Sequence, residues 1–581
     1  MGIGGHVTGK NLIDAARGLV PCDLNLANCG LVDLLRGEIR RGATVSIHRG
    51  HVAGVDDGLR AERTIDMRGL FLAPGLVDSH VHIESSMLTP PEYARIVVPR
   101  GTTTVVADPH EIANVLGYEG MRYMLAASEG LPLDVYLMVP SCVPATDFDT
   151  AGAALYASDM HPFLREPRVL GLGEVMNYPG VLFKDQKLLD KIALFRDAGK
   201  PVDGHAPGLS GGPLSAYVAA GIGSDHECTS PAEALEKLAK GMFIMLREGS
   251  TAKDLRTLLP AVSPRRAGSF LICSDDRHPN DLMDEGHMDQ ALRLLIAGGI
   301  DPIDAFRIAC SNPARWFGIR GSGLVAPGYR ADLVAFERIE DFRAKLVFKD
   351  GVLVAEEGRL LAEPPASRPP ARDSVNIKWL TEEDFRIPAP TNGRRRVRVI
   401  EARPESIITG ELLAEPKTEE GLCVSDLARD LVKIFVIERH TGSGNIGKGF
   451  ITGLGLKRGA LGCTVSHDSH NMIVAGVDDR SIFKAARHLN KMKGGLVFAV
   501  GDEVHLDLPL PVAGLMSDRD AAFVVERLRA FDELFAAEGL SNPSPLMTLS
   551  FMALPVIPKL KITDRGLVDV ERFTPVDLFA E

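Results

Sequence analysis

The chain is 581 residues long, 45% hydrophobic and 24% charged, with a formal net charge of −12. Its length calls for several domains, and its acidic balance, without a long basic block, argues against a nucleic-acid-binding surface. No apolar run approaches the roughly 18 residues of a membrane span, residues 1–20 lack both a basic start and a long apolar core, and eight scattered cysteines without a C-x-x-C pair read as reduced structural thiols, so the expected location is the cytoplasm.

Residues 1–20 form an N-terminal extension with no assignable role, and residues 21–72 carry strand-and-turn patterns such as ATVSIHRGHVAGV. From residue 73 to 322 the pattern changes. Short apolar segments recur at 75–82, 103–108, 133–139, 169–174, 201–205, 221–226, 242–248 and 269–275, with helix-like stretches between them. Strands alternating with helices over roughly 250 residues are the pattern of a (β/α)8 TIM barrel, an α/β fold whose active sites lie at the C-terminal strand ends.

The first of these segments, LAPGLVDSHVHIESS (72–86), puts two histidines one residue apart. In a strand Val77, Val81 and Ile83 share one face, and Asp78, His80, His82 and Glu84 the other. Two imidazoles on one face a pleat apart can converge on a metal ion. The remaining strand ends strengthen that reading: Glu174 closes the fourth segment, His205 the fifth, His226 the sixth and Asp275 the eighth. Six candidate ligands on one rim predict a metal site, and nitrogen and oxygen donors without thiolate suit Zn2+, Mn2+ or Fe2+. The zinc-deaminase signature H-x-E followed by P-C-x-x-C is absent. Just past the second segment, His110 and Glu111 stand either as ligands of a metal or the substrate, or as residues of a helix start that Asp108 and Glu111 cap. Glu227 either meets the substrate or faces solvent. Asp225 falls on the opposite strand face, and Cys273 reads as a small buried barrel residue.

Residues 323–362 are again β-rich, and the Pro-rich stretch at 363–374 reads as a linker into a C-terminal α+β domain over 375–581. There ERHTGSGNIGKGFITG lacks Walker spacing. VSHDSHN gathers His467, Asp468 and His470 as a possible accessory site, the alternative being a turn-rich loop that satisfies its own polar groups.

PGLVDSHVHIESS, DPHEIANVLG, GLGEVM, DGHAPG, SDHE, GLVAPGYRADLVAF (323–336) and HDSHNMIVAG (467–476) resemble the bacterial adenine deaminases of the amidohydrolase superfamily, over nearly the whole chain. The resemblance implies that 21–72 and 323–362 join as a composite β-sandwich beside the barrel. It also implies a binuclear centre of Mn2+ or Fe2+, because Glu174 occupies the position at which many superfamily members bridge two metals with a modified lysine. The activity it implies is hydrolytic deamination of adenine to hypoxanthine and ammonia, a step of purine salvage. A hydroxide generated between two metals attacks C6, Asp275 takes its proton toward the leaving amino group, and another acid, Glu174 or one in the rim loops, protonates N1. Single-zinc adenosine deaminases carry that acid in H-A-G-E, whereas HAPG puts Gly208 there. The expected partners are a small-molecule substrate, free adenine, and further copies of the chain, with a dimer favoured. Two alternatives are another binuclear amidohydrolase cleaving a cyclic or acetylated amide, and a barrel that has lost catalysis and serves in binding.

Overall fold

Each of the eight apolar segments forms a strand in the structure, a computed structural model that describes residues 9–365, 373–390, 396–403 and 406–580. Five of them make one parallel sheet, in the order Val202–Gly204, Val169–Val175, Asp134–Val139, Thr102–Ala107 and Leu76–Val81. This is a parallel half-barrel. Ser224–Asp225, Phe243–Arg247 and Phe270–Cys273 make a second parallel sheet. These short strands, rich in valine, isoleucine and leucine, are buried on both faces, as parallel sheets covered by helices require. The helices carry ordinary start signals: Ser230 Oγ accepts from Glu233 N at 3.3 Å ahead of Pro231–Ala239, with proline in its first turn.

Two seams join the sheets. At one, Asp275 N donates to His80 O at 2.9 Å and His82 N to Asp275 O at 3.3 Å. Asp78, two residues before His80, braces that seam from below. Its carboxylate accepts from His80 N at 3.3 Å, Ser274 N at 3.1 Å, Ser274 Oγ and His287 Nε2 at 2.9 Å. At the other seam Gly223 N donates to Val202 O at 3.0 Å and Ala206 N to Asp225 Oδ1 at 2.8 Å. The fully buried Lys237 holds Asp225 there, at 2.8 Å.

The alternation of the first strand stops earlier than its sequence suggests. The strand ends at Val81, and Ile83–Ser86 form a turn of 3-10 helix. Glu84 therefore leaves the face of His80 and His82, and its Oε1 accepts from Ile112 N at 3.3 Å.

The flanking segments share one nine-stranded sheet, in which Phe71–Pro74 pairs antiparallel with Leu333–Phe336 and so joins chain ends more than 250 residues apart. Within the N-terminal extension, Gly9–Ala16 is helical, while residues 1–8 and the linker residues 366–372 lie outside the described residues. A second nine-stranded sheet, antiparallel except where Arg396–Glu401 meets Ile446–Thr452, organises the C-terminal part, with helices Asp479–Lys491 and Ala521–Ala537 beside it. This part docks on the rim loops of the half-barrel: Ser517 N donates to Met87 O at 2.8 Å, Asn471 Nδ2 to Thr150 O at 2.8 Å, and Thr150 Oγ1 to Asp564 Oδ2 at 2.7 Å. All eight cysteines are free and buried, and no helix among the described residues is long and apolar enough to cross a membrane.

Because Asp78 is buried and serves four donors, Asp78→Ala strands those groups without partners. It should cost about 3 kcal/mol or more and lower the urea midpoint of the full chain. A midpoint equal to that of the wild type would remove the brace from the fold's supports.

Candidate metal centre

His80 and His82 project from the end of the first strand with their Nε2 atoms 3.1 Å apart. Asp275 Oδ1 lies 3.5 Å from the first and 3.1 Å from the second, and Glu174 Oε1 lies 3.8 and 3.3 Å away. The other oxygen of Glu174 meets His205 Nδ1 at 2.6 Å and His226 Nε2 at 3.3 Å. The His226 ring also stacks on His80, with centroids 4.2 Å apart. Ligands about 2.0–2.2 Å from a tetrahedral ion stand roughly 3.4 Å from one another, which is the spacing seen here. His80 with His82 and Asp275, and His80 with Glu174 and His226, are thus groups that could hold a cation.

The surroundings fix the chemical state of these groups. His82 Nδ1 is 2.8 Å from the carbonyl of Asp108, which places a proton on Nδ1 and turns Nε2 to the cluster; against the cost of burial, Asp275 and Glu174 hold this imidazole well above its usual range. Burial, then His226, pushes the His80 imidazole down to about 4, which keeps it neutral. Burial opposes charge on Glu174, but His205, His226 and His82 hold its carboxyl well below the usual carboxylate range. Against the same cost, His80, His82 and Arg247 do so for Asp275. Neutral imidazole and ionised carboxylate are the forms that bind metal.

The centre is open on one side. Side-chain exposure is 18% at His205, 11% at Glu227 and 10% at Asp275, against 1–3% at His80, His82, Glu174 and His226. A ligand from solvent approaches past the first three.

Two residues of the site lie outside the six strand-end ligands. Arg247, at the end of the seventh strand, reaches Asp275 Oδ2 at 2.9 Å and Asp254 Oδ2 at 2.9 Å, and pairs with Glu227. Its signal is the arginine that ends the apolar run MFIMLR, on the same rim as the ligands. Asp108 accepts the backbone N–H of Glu174 at 2.8 Å and so seats the central carboxylate. Glu227 does not face solvent: Arg247 holds it, 3.5 Å from His226 Nε2 and 3.8 Å from His205 Nδ1. Asp225 points away into the pair with Lys237, and Cys273 is buried in the strand.

His110 and Glu111 open the helix His110–Leu116, and no side chain caps it. They face the C-terminal loop instead, where Glu111 meets His467 Nδ1 at 3.1 Å and His470 Nε2. Asp468 comes within 3.9 Å of His110. The glycine-rich stretch before this loop is a self-satisfied turn: Glu438 accepts from Thr441 N at 2.6 Å and Ser443 N at 2.8 Å, while His440 Nε2 meets the Ser469 carbonyl at 2.7 Å.

The amidohydrolase family model matches residues 71–354, and the adenine deaminase C-terminal domain model matches residues 406–574. An adenine deaminase from Desulfatibacillum aliphaticivorans is 48% identical over 569 residues, covering 98% of this chain and 99% of its own. One from Methanothrix thermoacetophila is 47% identical over 573 residues, covering 98% and 100%. Adenine deaminase 2 from Carboxydothermus hydrogenoformans is 46% identical over 569 residues, covering 98% and 99%. Among solved structures, an N-acetyl-D-glucosamine-6-phosphate deacetylase from Mycobacterium smegmatis aligns at a TM-score of 0.44 and 19% identity, over 57% of this chain and all of its own.

A ligand that binds only the folded chain stabilises it, by about 2.7 kcal/mol at a hundredfold excess over Kd. Adding Mn2+ to metal-stripped protein should therefore raise Tm by roughly 5 °C or more. His82→Ala should remove much of that rise while leaving the metal-free Tm near that of the wild type. An unchanged Mn2+ response in the variant would take His82 out of the centre.

Proposed function

The chain belongs to the adenine deaminase family of amidohydrolases, and we infer from this that it hydrolyses adenine to hypoxanthine and ammonia. The observation that carries the chemistry is the double engagement of Glu174, whose two carboxylate oxygens face two different sets of histidines. Our assignment gives His80, His82 and Asp275 to one divalent ion, His205 and His226 to a second, and Glu174 to both. Mn2+ or Fe2+ is the expected pair, with Zn2+ as the alternative that the same donors admit. When bound, such ions supply the Lewis acidity by which water ionises near neutral pH. The two parallel sheets are read here as one closed (β/α)8 barrel, which the backbone contacts at both seams support.

The protein's own groups divide the remaining work. Asp275, steadied at Oδ2 by Arg247, presents Oδ1 on the open side, where it takes the proton of the attacking water and passes it to the leaving amino group. The water oxygen bonds to C6, an acid of the rim loops gives N1 its proton, the C6–N bond breaks as ammonia departs, and the proton left on the C6 oxygen returns to that acid as the carbonyl forms. Glu227, held by Arg247 beside His205 and His226, is the rim residue that faces the purine. Substrate class comes from the family: the similar full-length chains are adenine deaminases.

Protein loaded with Mn2+ should show a kcat/KM for adenine at least about a hundredfold above that for adenosine, guanine or a cyclic amide. Adenosine turning over as well as adenine would overturn the reading. Asp275→Asn should keep most of the bound metal and lose about 10²-fold or more in kcat, and a near-wild-type rate would exclude its proton transfer.

A further inference from the structure

On the closed side of the centre, away from the opening at His205, two carboxylates and two imidazoles from different parts of the chain face one another. His110 and Glu111 come from the loop after the second strand of the half-barrel, His467 and Asp468 from the C-terminal loop. Glu111 Oε1 stands 3.1 Å from His467 Nδ1 and 3.7 Å from His110 Nε2. Asp468 Oδ1 stands 3.9 Å from each of those nitrogens. We propose that His110, Glu111, His467 and Asp468 form a third divalent-cation site, completed only when the C-terminal domain is seated on the barrel.

Five observations carry the proposal. The spacings, 3.1–3.9 Å, lie around the roughly 3.4 Å that separates ligands of one tetrahedral ion, and a bound ion has only to draw the wider edges in. All four residues are at most 5% exposed, and Glu111 Oε1 and Asp468 Oδ2 are buried without a hydrogen-bond partner. Among the described residues no lysine or arginine pairs with either carboxylate, whose neighbours are imidazoles.

The remaining two concern orientation. His470 Nδ1 accepts from Ser466 N at 3.1 Å, which places its proton on Nε2. His470 Nε2 in turn lies beside Glu111 Oε2, while Oε1 faces His467 and His110. His110 Nδ1 lies 3.4 Å from Glu174 Oε1 without a hydrogen bond to it, while Nε2 is the ring nitrogen on the side of Glu111 and Asp468. The loop itself is fixed from behind, because the fully buried Arg439 donates to the carbonyls of His470, Ser374 and Ala513. The same burial argues against a purine edge here: adenine enters on the open side.

The proposal rests on the metal-dependent reading of the main centre only through His110, which faces both. The test is to strip the full-length protein, saturate it with Mn2+ and count ions per chain by mass spectrometry of the desalted sample. Three ions are expected for the wild type and two for the isosteric pair His467→Gln with Asp468→Asn. Glu111→Gln serves as a second variant, also with two. The Mn2+-dependent rise in Tm should shrink in both, since the ion ties two domains together. A wild-type count of two, or a count in either variant equal to that of the wild type, would overturn the third site. His80→Ala with His82→Ala separates the two ideas: it should lose ions from the main centre, and if it kept the wild-type count it would be the Glu174-centred assignment that fails.

Discussion

One buried carboxylate sets the terms for the whole molecule. Glu174 is 3% exposed, and His82, His110, His205 and His226 all point at its two oxygens. An ionised acid in such a place is costly unless positive charge or hydrogen bonds surround it. Protons on the imidazoles can supply part of that charge, and a pair of divalent ions supplies more of it while leaving the imidazoles neutral. In the assignment proposed above, the polar groups of the site are satisfied as metal ligands. Removing any one histidine takes a donor from that set, so metal content and the stability that metal binding adds should fall together.

Holding that arrangement falls to strand ends rather than to any local motif. The ligands come from the first, fourth, fifth, sixth and eighth strands, and their mutual distances depend on how those strands are held together. Asp78 does this at the first seam by accepting from both strands just below the ligands. Lys237 and Asp225 do it at the other. Asp108 works inside the first sheet, with its carboxylate on the Glu174 amide and its carbonyl on the His82 ring. None of these four residues needs to touch a metal, yet each helps fix the strand end of a proposed ligand.

Much of this was legible in the sequence because periodicity and position carry it. Eight apolar runs gave eight strands within a few residues of the expected ends, and a histidine or acid at the last residue of such a run has few other reasons to be there. Local departures were harder to read. Glu84 follows the alternation on paper, but the strand ends at Val81 and a 3-10 turn carries Glu84 off that face. Asp108 and Glu111 have the look of helix caps, yet their carboxylates go to Glu174 N and to His467, because the tertiary partners are buried and a capped N–H near solvent gains little by comparison. Arg247 was missed since an arginine at the end of an apolar strand usually reaches water, whereas here three carboxylates surround it.

The contacts least visible in sequence join residues about 360 positions apart, Glu111 with His467 and His470. No spacing rule spans such a separation, and each member has an innocuous local explanation. Only when the C-terminal domain is in place do they converge. That dependence gives the domain a physical reason to accompany the barrel: it closes the dry side of the centre and leaves the His205 side as the approach. The loop it contributes is held by the buried Arg439 through carbonyl acceptors alone. An arginine so placed is committed to backbone geometry and cannot compensate the acids in front of it. Glu111 and Asp468 thus face inward with His467 and His110, toward a space that two domains share, and a cation there would favour the docked arrangement over any in which the domains part.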